Sequence, residues 1–407
     1  MRVVIVGPGR IGCGYLAPLF SAAGWQIVFG TSTQAIAARI RRSRSFNVRI
    51  TGNGSAPPTS IHGADAAAVD SEDFRAAVAR ADLVCTAVGV GNVTALGSPL
   101  ARALARRSST APIDVWVVEN ADAAGGLRDA VTSEARSLNL VLPPVGYAGA
   151  VAKVAVARGS WRNERHPEFV ADSARELFVD AGALRTAPPS LPGVGVTNDY
   201  VARLREKLFV FNAAHSICAF LGWLRGHQTI DRAVLDPFLR PMIIGCLLES
   251  RSAVLASHPK LGHDLHGPVE EALRRFANSA LADPVDRVGR DPIRKLGPRD
   301  RLLGPVDLIR RVNGRVPPYF ALGVAGALLF RPDGDRQACE LRTTLGREGV
   351  MSVLWHICGL EPDDPFTQAV AARYHNFIFT PEGTIFPPAH ASVPAWSAGA
   401  RIVEVSG

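Results

Sequence analysis

At 407 residues, with 47% hydrophobic side chains, the chain is long enough for two or three domains and a large core. Its formal charge of +8 comes from arginines scattered over helical stretches and interleaved with acids; without an aromatic and basic stripe, this argues against nucleic acid and leaves anionic cofactors or phosphorylated substrates. Six cysteines, none at Cys-x-x-Cys spacing, indicate buried thiols rather than a zinc knuckle or disulfide framework.

Met1 leads straight into Val3-Val-Ile-Val6, and no uncharged apolar run reaches the roughly 18 residues of a membrane span. The expectation is a soluble, cytoplasmic protein, monomer or small homo-oligomer, with no membrane partner. Residues 2–6 form an apolar strand that ends in Gly7-x-Gly9-x-x-Gly12, and residues 15–24 have helical periodicity. That order suits a dinucleotide. Gly7 permits the tight turn, Gly9 lets backbone approach a pyrophosphate, and Gly12 lets the helix pack against the strand. Gly7, Pro8, Gly9, Arg10, Ile11 and Gly12 are therefore the expected cofactor-binding turn.

The second strand, Trp25 to Thr31, ends on Thr31, where an NAD-preferring fold usually carries an acid for the ribose 2′-hydroxyl. Without that carboxylate a 2′-phosphate meets no repulsion, so NAD or NADP is admissible and Thr31 is a candidate cofactor contact. Arg39, Arg41, Arg42 and Arg44 follow on a helix and read as a solvated face. Residues 53–59 read as a loop or short hairpin, and 71–81 as a helix. Asp82 to Gly89 is an apolar strand ending in Ala87, Val88 and Gly89, small residues suited to pass under a nicotinamide ribose. Val115 to Asn120 is another strand. Asn120, at its carboxyl end, is either a ligand for a carbonyl or hydroxyl oxygen or a cap for the next helix.

Residues 188–192 contain three prolines and read as a linker. The expected organisation is a doubly wound α/β domain over 1–190, a mostly α-helical domain over 191–380 and an irregular tail over 381–407. Helical periodicity covers 200–221, 230–255, 268–280, 301–312, 318–329 and 348–358. Within the first of these, Lys207, Asn212 and His215 interrupt an apolar run. At about 100° per residue, Asn212 lies about 140° and His215 about 80° from Lys207, all on one side. A buried lysine needs a partner or a function, and desolvation lowers its pKa into the range of proton exchange. A lysine snorkelling from a core helix satisfies the same spacing. In the segment 286–301, glycines and prolines place Arg287, Arg290, Arg294 and Lys295 on turns, where they can converge on an anion. His215 and His227 lack a suitably spaced acidic partner, so no metal site is expected.

Taken together, these residues resemble the polyol-specific long-chain dehydrogenases, and among them the mannitol-1-phosphate 5-dehydrogenase branch, from residue 1 to about 370. The resemblance is carried by Lys207-x-x-x-x-Asn212-x-x-His215, Phe220-Leu-Gly222, Gly226-His-Gln-Thr229, Arg287-Val-Gly-Arg-Asp-Pro-Ile-Arg-Lys-Leu296, Asp300-Arg-Leu302 and Glu119-Asn120. It implies a Rossmann-type domain followed by a helical one, and zinc-independent hydride transfer between a nicotinamide cofactor and a secondary alcohol of a polyol or polyol phosphate. Lys207 would be the general acid/base, Asn120 and Asn212 donors to the developing alkoxide, His215 an orienting group, and Arg287 and Lys295 ligands for the rest of the substrate. The chain departs from the family pattern at Ala152 and Lys153, where an acid and an arginine are usual. A different polyol-like substrate, amino, cyclic or unphosphorylated, and a non-catalytic nucleotide sensor remain as alternatives.

Overall fold

Short apolar strands separated by helices produce a parallel sheet, because strands buried on both faces need helical crossovers to cover them. The computed structural model describes residues 1–52, 57–162, 166–380 and 383–385. Its strands in chain order are β1 (Arg2–Val6), β2 (Gln26–Thr31), β3 (Ser45–Thr51), β4 (Thr59–His62), β5 (Asp65–Ala68), β6 (Leu83–Thr86), β7 (Ile113–Val117), β8 (Val145–Lys153), β9 (Val156–Arg158), β10 (Glu168–Asp172), β11 (Glu176–Asp180) and β12 (Val194–Thr197). The main sheet has the order β12-β11-β8-β7-β6-β1-β2-β5. From β5 to β8 it is all parallel, in the doubly wound order of a dinucleotide-binding sheet. Val3 and Ile5 enter the core on one face and Val4 and Val6 on the other, following the two-residue period of a strand. Strand order reverses between β1 and β6, so the crevice for a ligand lies at the carboxyl ends of these two.

β11 runs antiparallel to β8 and pairs with β12, so the sheet takes a strand from beyond the proline linker. A second sheet, β4-β3-β10-β9, is missing from the sequence reading, although β3 alternates, with Phe46 and Val48 buried. β3 and β4 pair as an antiparallel hairpin; residues 53–56 between them lie outside the described residues. So does the expected irregular tail, apart from Gly383–Ile385, which pairs with Ile378–Thr380.

From Tyr200 onward the chain is helical. Asp199 accepts a hydrogen bond from the Ala202 N–H at 3.1 Å and caps one unbroken helix. It comprises an α segment Tyr200–Arg205, a π segment Glu206–Phe211 and an α segment Asn212–Leu224. By length and composition this helix could cross a bilayer, yet 72% of its most apolar window is buried inside the protein. Ile217, Phe220 and Leu221 pack with the helix Pro318–Leu329 in the core of the helical half. The expected helix over 230–255 is in fact two, Ile230–Leu235 and Arg240–Ser257. Asp236 leaves the helical conformation, and its carboxylate accepts the Phe238 and Leu239 N–H groups that open the next turn. The expected helix over 348–358 follows Gly349, whose φ of 79° breaks the helical run that begins at Arg336.

Candidate active site

The nucleotide turn follows from steric limits at two glycines. Gly7 has φ +104°, and a Cβ there would lie 2.4 Å from the Ala87 carbonyl oxygen. A Cβ at Gly12 would lie 2.0 Å from the Gly7 carbonyl oxygen, so only glycine lets the helix begin this close to β1. Gly9 faces open space, the room a pyrophosphate needs to approach the N–H groups that open a helix. Pro8, Arg10 and Ile11 complete the turn, all partly buried. These positions fit a dinucleotide. Across the crevice, the buried carboxylate of Glu119 accepts the Val88 N–H at 2.8 Å and the Gly89 N–H at 3.0 Å, fixing the turn Ala87-Val88-Gly89. Burial raises the pKa of Glu119, opposed by these two N–H groups and by Lys207. Asn120 is exposed at the mouth of this turn.

Thr31 requires a correction. It is 1% exposed and its hydroxyl donates to the Thr33 carbonyl oxygen at 2.8 Å, so it faces the protein rather than a ribose. Strand alternation turns the next residue, Ser32, outward to solvent. Arg39 is taken up by the Trp161 and Arg162 carbonyls and Arg41 by Asp73. Ser32→Asp is therefore expected to shift cofactor preference from NADP towards NAD, read as the ratio of kcat/KM values, whereas Thr31→Asp buries a charge and lowers the melting temperature. A wild type that takes no NADP at all would sink the first expectation.

Lys207 stands in the π segment, and this changes its geometry. A π turn links residues five apart, and here the Asn212 N–H bonds the Lys207 carbonyl oxygen. Instead of lying about 140° apart as in an α-helix, Lys207 and Asn212 are stacked one turn apart, with His215 three residues further along the same side. Lys207 is half-buried. Burial first, then the Arg301 and Arg275 guanidiniums, bring its pKa down to about 7 against the opposing pull of Glu119 and Asp172.

Asp172 and Arg275 meet from 103 residues apart. Asp172 accepts from Arg275 at 2.8 Å (Nε) and 2.7 Å (Nη2), and from the Ala155 N–H at 3.1 Å. The same guanidinium lies 4.0 Å from the centre of the Phe211 ring, a cation–π contact. Ala152 is buried in the sheet core, and Lys153 pairs with Glu176 at 3.2 Å and Glu206 at 3.6 Å. The carboxylates around Lys207 thus come from Glu119 and Asp172, not from β8.

The His215 ring stacks on Phe276 at 4.8 Å, and its Nε2 lies 3.6 Å from Asp283 Oδ2. Burial pushes its pKa down to about 3, so the imidazole is neutral. Asp283, 3% exposed, also accepts two hydrogen bonds from Arg287 and ties His215 to that arginine. Arg287, Arg294 and Lys295, expected on turns, lie on two short helices, Val285–Gly289 and Pro292–Lys295, with Arg290 between them. Lys295 is 3% exposed; burial, Arg301 and Arg294 hold its ammonium well below the usual lysine range. Arg301 is therefore a common neighbour of Lys207 and Lys295. His227 lies apart from this group, bonded to Asp236 at 2.8 Å in the turn after the long helix.

Sequence reading missed Asp172, Arg275 and Asp283, and noted Glu119 and Arg301 without a role. Of the three missed, Asp283 alone left a local trace, just before the basic segment.

Residues 1–149 match the family described as the mannitol dehydrogenase Rossmann domain, and residues 199–377 the mannitol dehydrogenase C-terminal domain. Among solved structures, a mannitol 2-dehydrogenase from Pseudomonas fluorescens, in ternary complex with NAD and D-mannitol, is 16% identical with a TM-score of 0.75, covering 92% of this chain and 91% of that one. A substrate-free D-sorbitol dehydrogenase is 16% identical with a TM-score of 0.66, covering 92% of each chain. A 2-dehydropantoate 2-reductase from Geobacter metallireducens GS-15, 16% identical with a TM-score of 0.52, covers 80% of this chain and 99% of its own.

Proposed function

The chain belongs to the mannitol dehydrogenase family and is an NAD(P)-dependent polyol oxidoreductase, and from that premise we propose that Lys207 is the general acid and base of a zinc-independent hydride transfer at a secondary alcohol of a sugar alcohol or sugar-alcohol phosphate. The observation that carries this reading is a lysine brought to about 7 in the wall of the cleft, with Glu119 linking it to the nucleotide turn. Proton transfer is most effective when the pKa lies near the operating pH.

When bound, the nicotinamide takes or returns the hydride at the reacting carbon. In oxidation Lys207, as free amine, takes the hydroxyl proton; in reduction its ammonium returns a proton to the carbonyl oxygen. Asn212, one π turn away, and Asn120, beyond β7, donate hydrogen bonds to that oxygen as charge develops on it. Neutral His215, fixed by Phe276 and Asp283, orients the neighbouring hydroxyls, and Arg287 and Lys295 hold the remainder of the substrate. In reduction the ammonium of Lys207 polarises the carbonyl oxygen. The relative crystallised with NAD and D-mannitol supports a polyol as the substrate class, and the arginines around the cleft support a phosphorylated one.

Turnover measured across polyols, their phosphates and the matching ketoses, with each nicotinamide cofactor, tests the proposal. No change in reduced-cofactor absorbance with any of them would leave a nucleotide-binding protein without this activity. A second expectation concerns Arg275. Its cation disfavours protonated Lys207, so Arg275→Met is expected to move the pH midpoint of polyol oxidation upward. An unmoved or lowered midpoint would show that Arg275 does not act on the lysine.

A further inference from the structure

At the end of the sheet opposite the cleft, the amino ends of three neighbouring parallel strands stand side by side: β1 opens on Arg2, β2 on Gln26 and β5 on Asp65. These three residues, with Arg41, Arg44 and Gly63, line a cavity of about 440 Å³, a volume suited to a small molecule. The Gly63 N–H donates to the Arg44 carbonyl oxygen at 2.9 Å, which ties the loop before β5 to the end of the helix Gln34–Ser43. Arg41 and Arg44, expected on a solvated helix face, border a concave site instead. Arg44 lies just past the helix in left-handed backbone, with φ 52°, a place that glycine or asparagine usually takes.

These guanidiniums spend few of their N–H donors within the protein. The Arg2 side chain donates to Gln26 Oε1 at 2.9 Å and Arg41 to Asp73 at 3.0 Å. The Arg44 side chain makes no hydrogen bond or ion pair among the described residues. Asp65 supplies the carboxylate of the lining; its Oδ1 accepts the Ala66 N–H at 2.8 Å, and it forms no ion pair among the described residues. Three cations against one carboxylate leave the lining with a surplus of positive charge, and a concave wall focuses such a field.

We propose that this cavity binds a small organic phosphate, with Arg2, Arg41 and Arg44 on the phosphate oxygens and Asp65 accepting from a hydroxyl of the ligand. Arginine suits the first task because its planar fork matches phosphate geometry and keeps its charge. The site is separate from the nucleotide turn, which follows the opposite, carboxyl end of β1. An extended anion fits less well than a small one. Asp65, the exposed Asp73 and Asp82, whose carboxylate accepts the Arg2 N–H at 2.7 Å, surround the arginines and repel a polyanion or an anionic bilayer.

The test is phenylglyoxal modification of the full-length protein, saturated with reduced nicotinamide cofactor and mapped arginine by arginine by peptide mass spectrometry. Inorganic phosphate, compared with sodium chloride at equal ionic strength, should slow modification of Arg2, Arg41 and Arg44 with one common half-protecting concentration. Arg128, on the helix Ala124–Ser137 and outside the lining, should keep its rate. Arg44→Met, at an exposed position, should fold normally and raise the concentration that protects Arg2 by roughly 10-fold, the scale of one hydrogen bond to a charged group. Glucose 6-phosphate should protect at lower concentration than inorganic phosphate, and Asp65→Asn should shrink that advantage. Equal modification of Arg44 in phosphate and chloride, or unchanged protection of Arg2 in Arg44→Met, would overturn the site. No advantage for glucose 6-phosphate would overturn the organic ligand, and protection by phosphatidylserine vesicles without protection by inorganic phosphate would overturn the small one.

Discussion

Lys207→Ala is expected to lower kcat by roughly 10²-fold or more, the usual scale for losing a general acid or base, while cofactor affinity stays near that of the wild type. The pH dependence follows from the same group. In the wild type, kcat/KM for polyol oxidation should rise as pH passes through about 7, because only the free amine accepts a proton. Reduction of the ketose should fall over the same range, because only the ammonium donates one. Both limbs should vanish in the variant. The same shift also marks stability. The folded-state pKa of about 7 lies below the ordinary lysine value of 10.5, so the unfolded chain binds the extra proton between those two values. Stability therefore rises with pH across that window, and the full penalty is present below it. Lys207→Met should remove this slope, which denaturant titrations at several pH values would show. Near-normal turnover by Lys207→Ala would mean that another group moves the proton.

Glu206→Ala should produce the largest loss of stability, about 3–5 kcal/mol, the range for leaving a buried charge without its partner. Arg251, 2% exposed, donates to Glu206 Oε1 at 2.6 Å, and its only other acceptor among the described residues is the Asp264 carbonyl oxygen, at 2.9 and 3.2 Å. The second Glu206 oxygen meets Arg203 at 3.3 Å and Lys153 at 3.6 Å. One carboxylate thus ties the π segment to β8 and to the helix Arg240–Ser257. Because Glu206 adjoins Lys207, the variant should also lose kcat at temperatures where it remains folded. Glu206→Gln keeps an acceptor for Arg251 and should lose less. A drop in denaturant midpoint equivalent to under about 1 kcal/mol would mean that desolvation already cancels the attraction within the pair.

The nucleotide half and the site differ in how openly the sequence declares them. Val3 to Val6, the spaced glycines and the following helix could be read directly, since Gly7 and Gly12 answer to contacts between backbone atoms only a few residues apart. Thr31 could be located at a strand end but not oriented, because register within the sheet decides which of Thr31 and Ser32 faces out. Lys207, Asn212 and His215 were conspicuous as polar groups on one side of an apolar run; the π turn between Lys207 and Asn212 has no composition of its own, and its widened geometry shows only once the helix is packed.

The sequence by itself thus determined the glycine turn, the sheet class and the helical second half, and it made one lysine stand out in an apolar run, because each depends on backbone sterics or on side-chain periodicity over a few turns. The tertiary structure alone decided the company of that lysine. Asp172 and Arg275 come together from 103 residues apart, Glu119 reaches back to Val88 and Gly89, and Asp283 joins His215 to Arg287. Such encounters depend on how sheet and helices pack, and the electrostatic field that sets the Lys207 pKa exists only after that packing has excluded water.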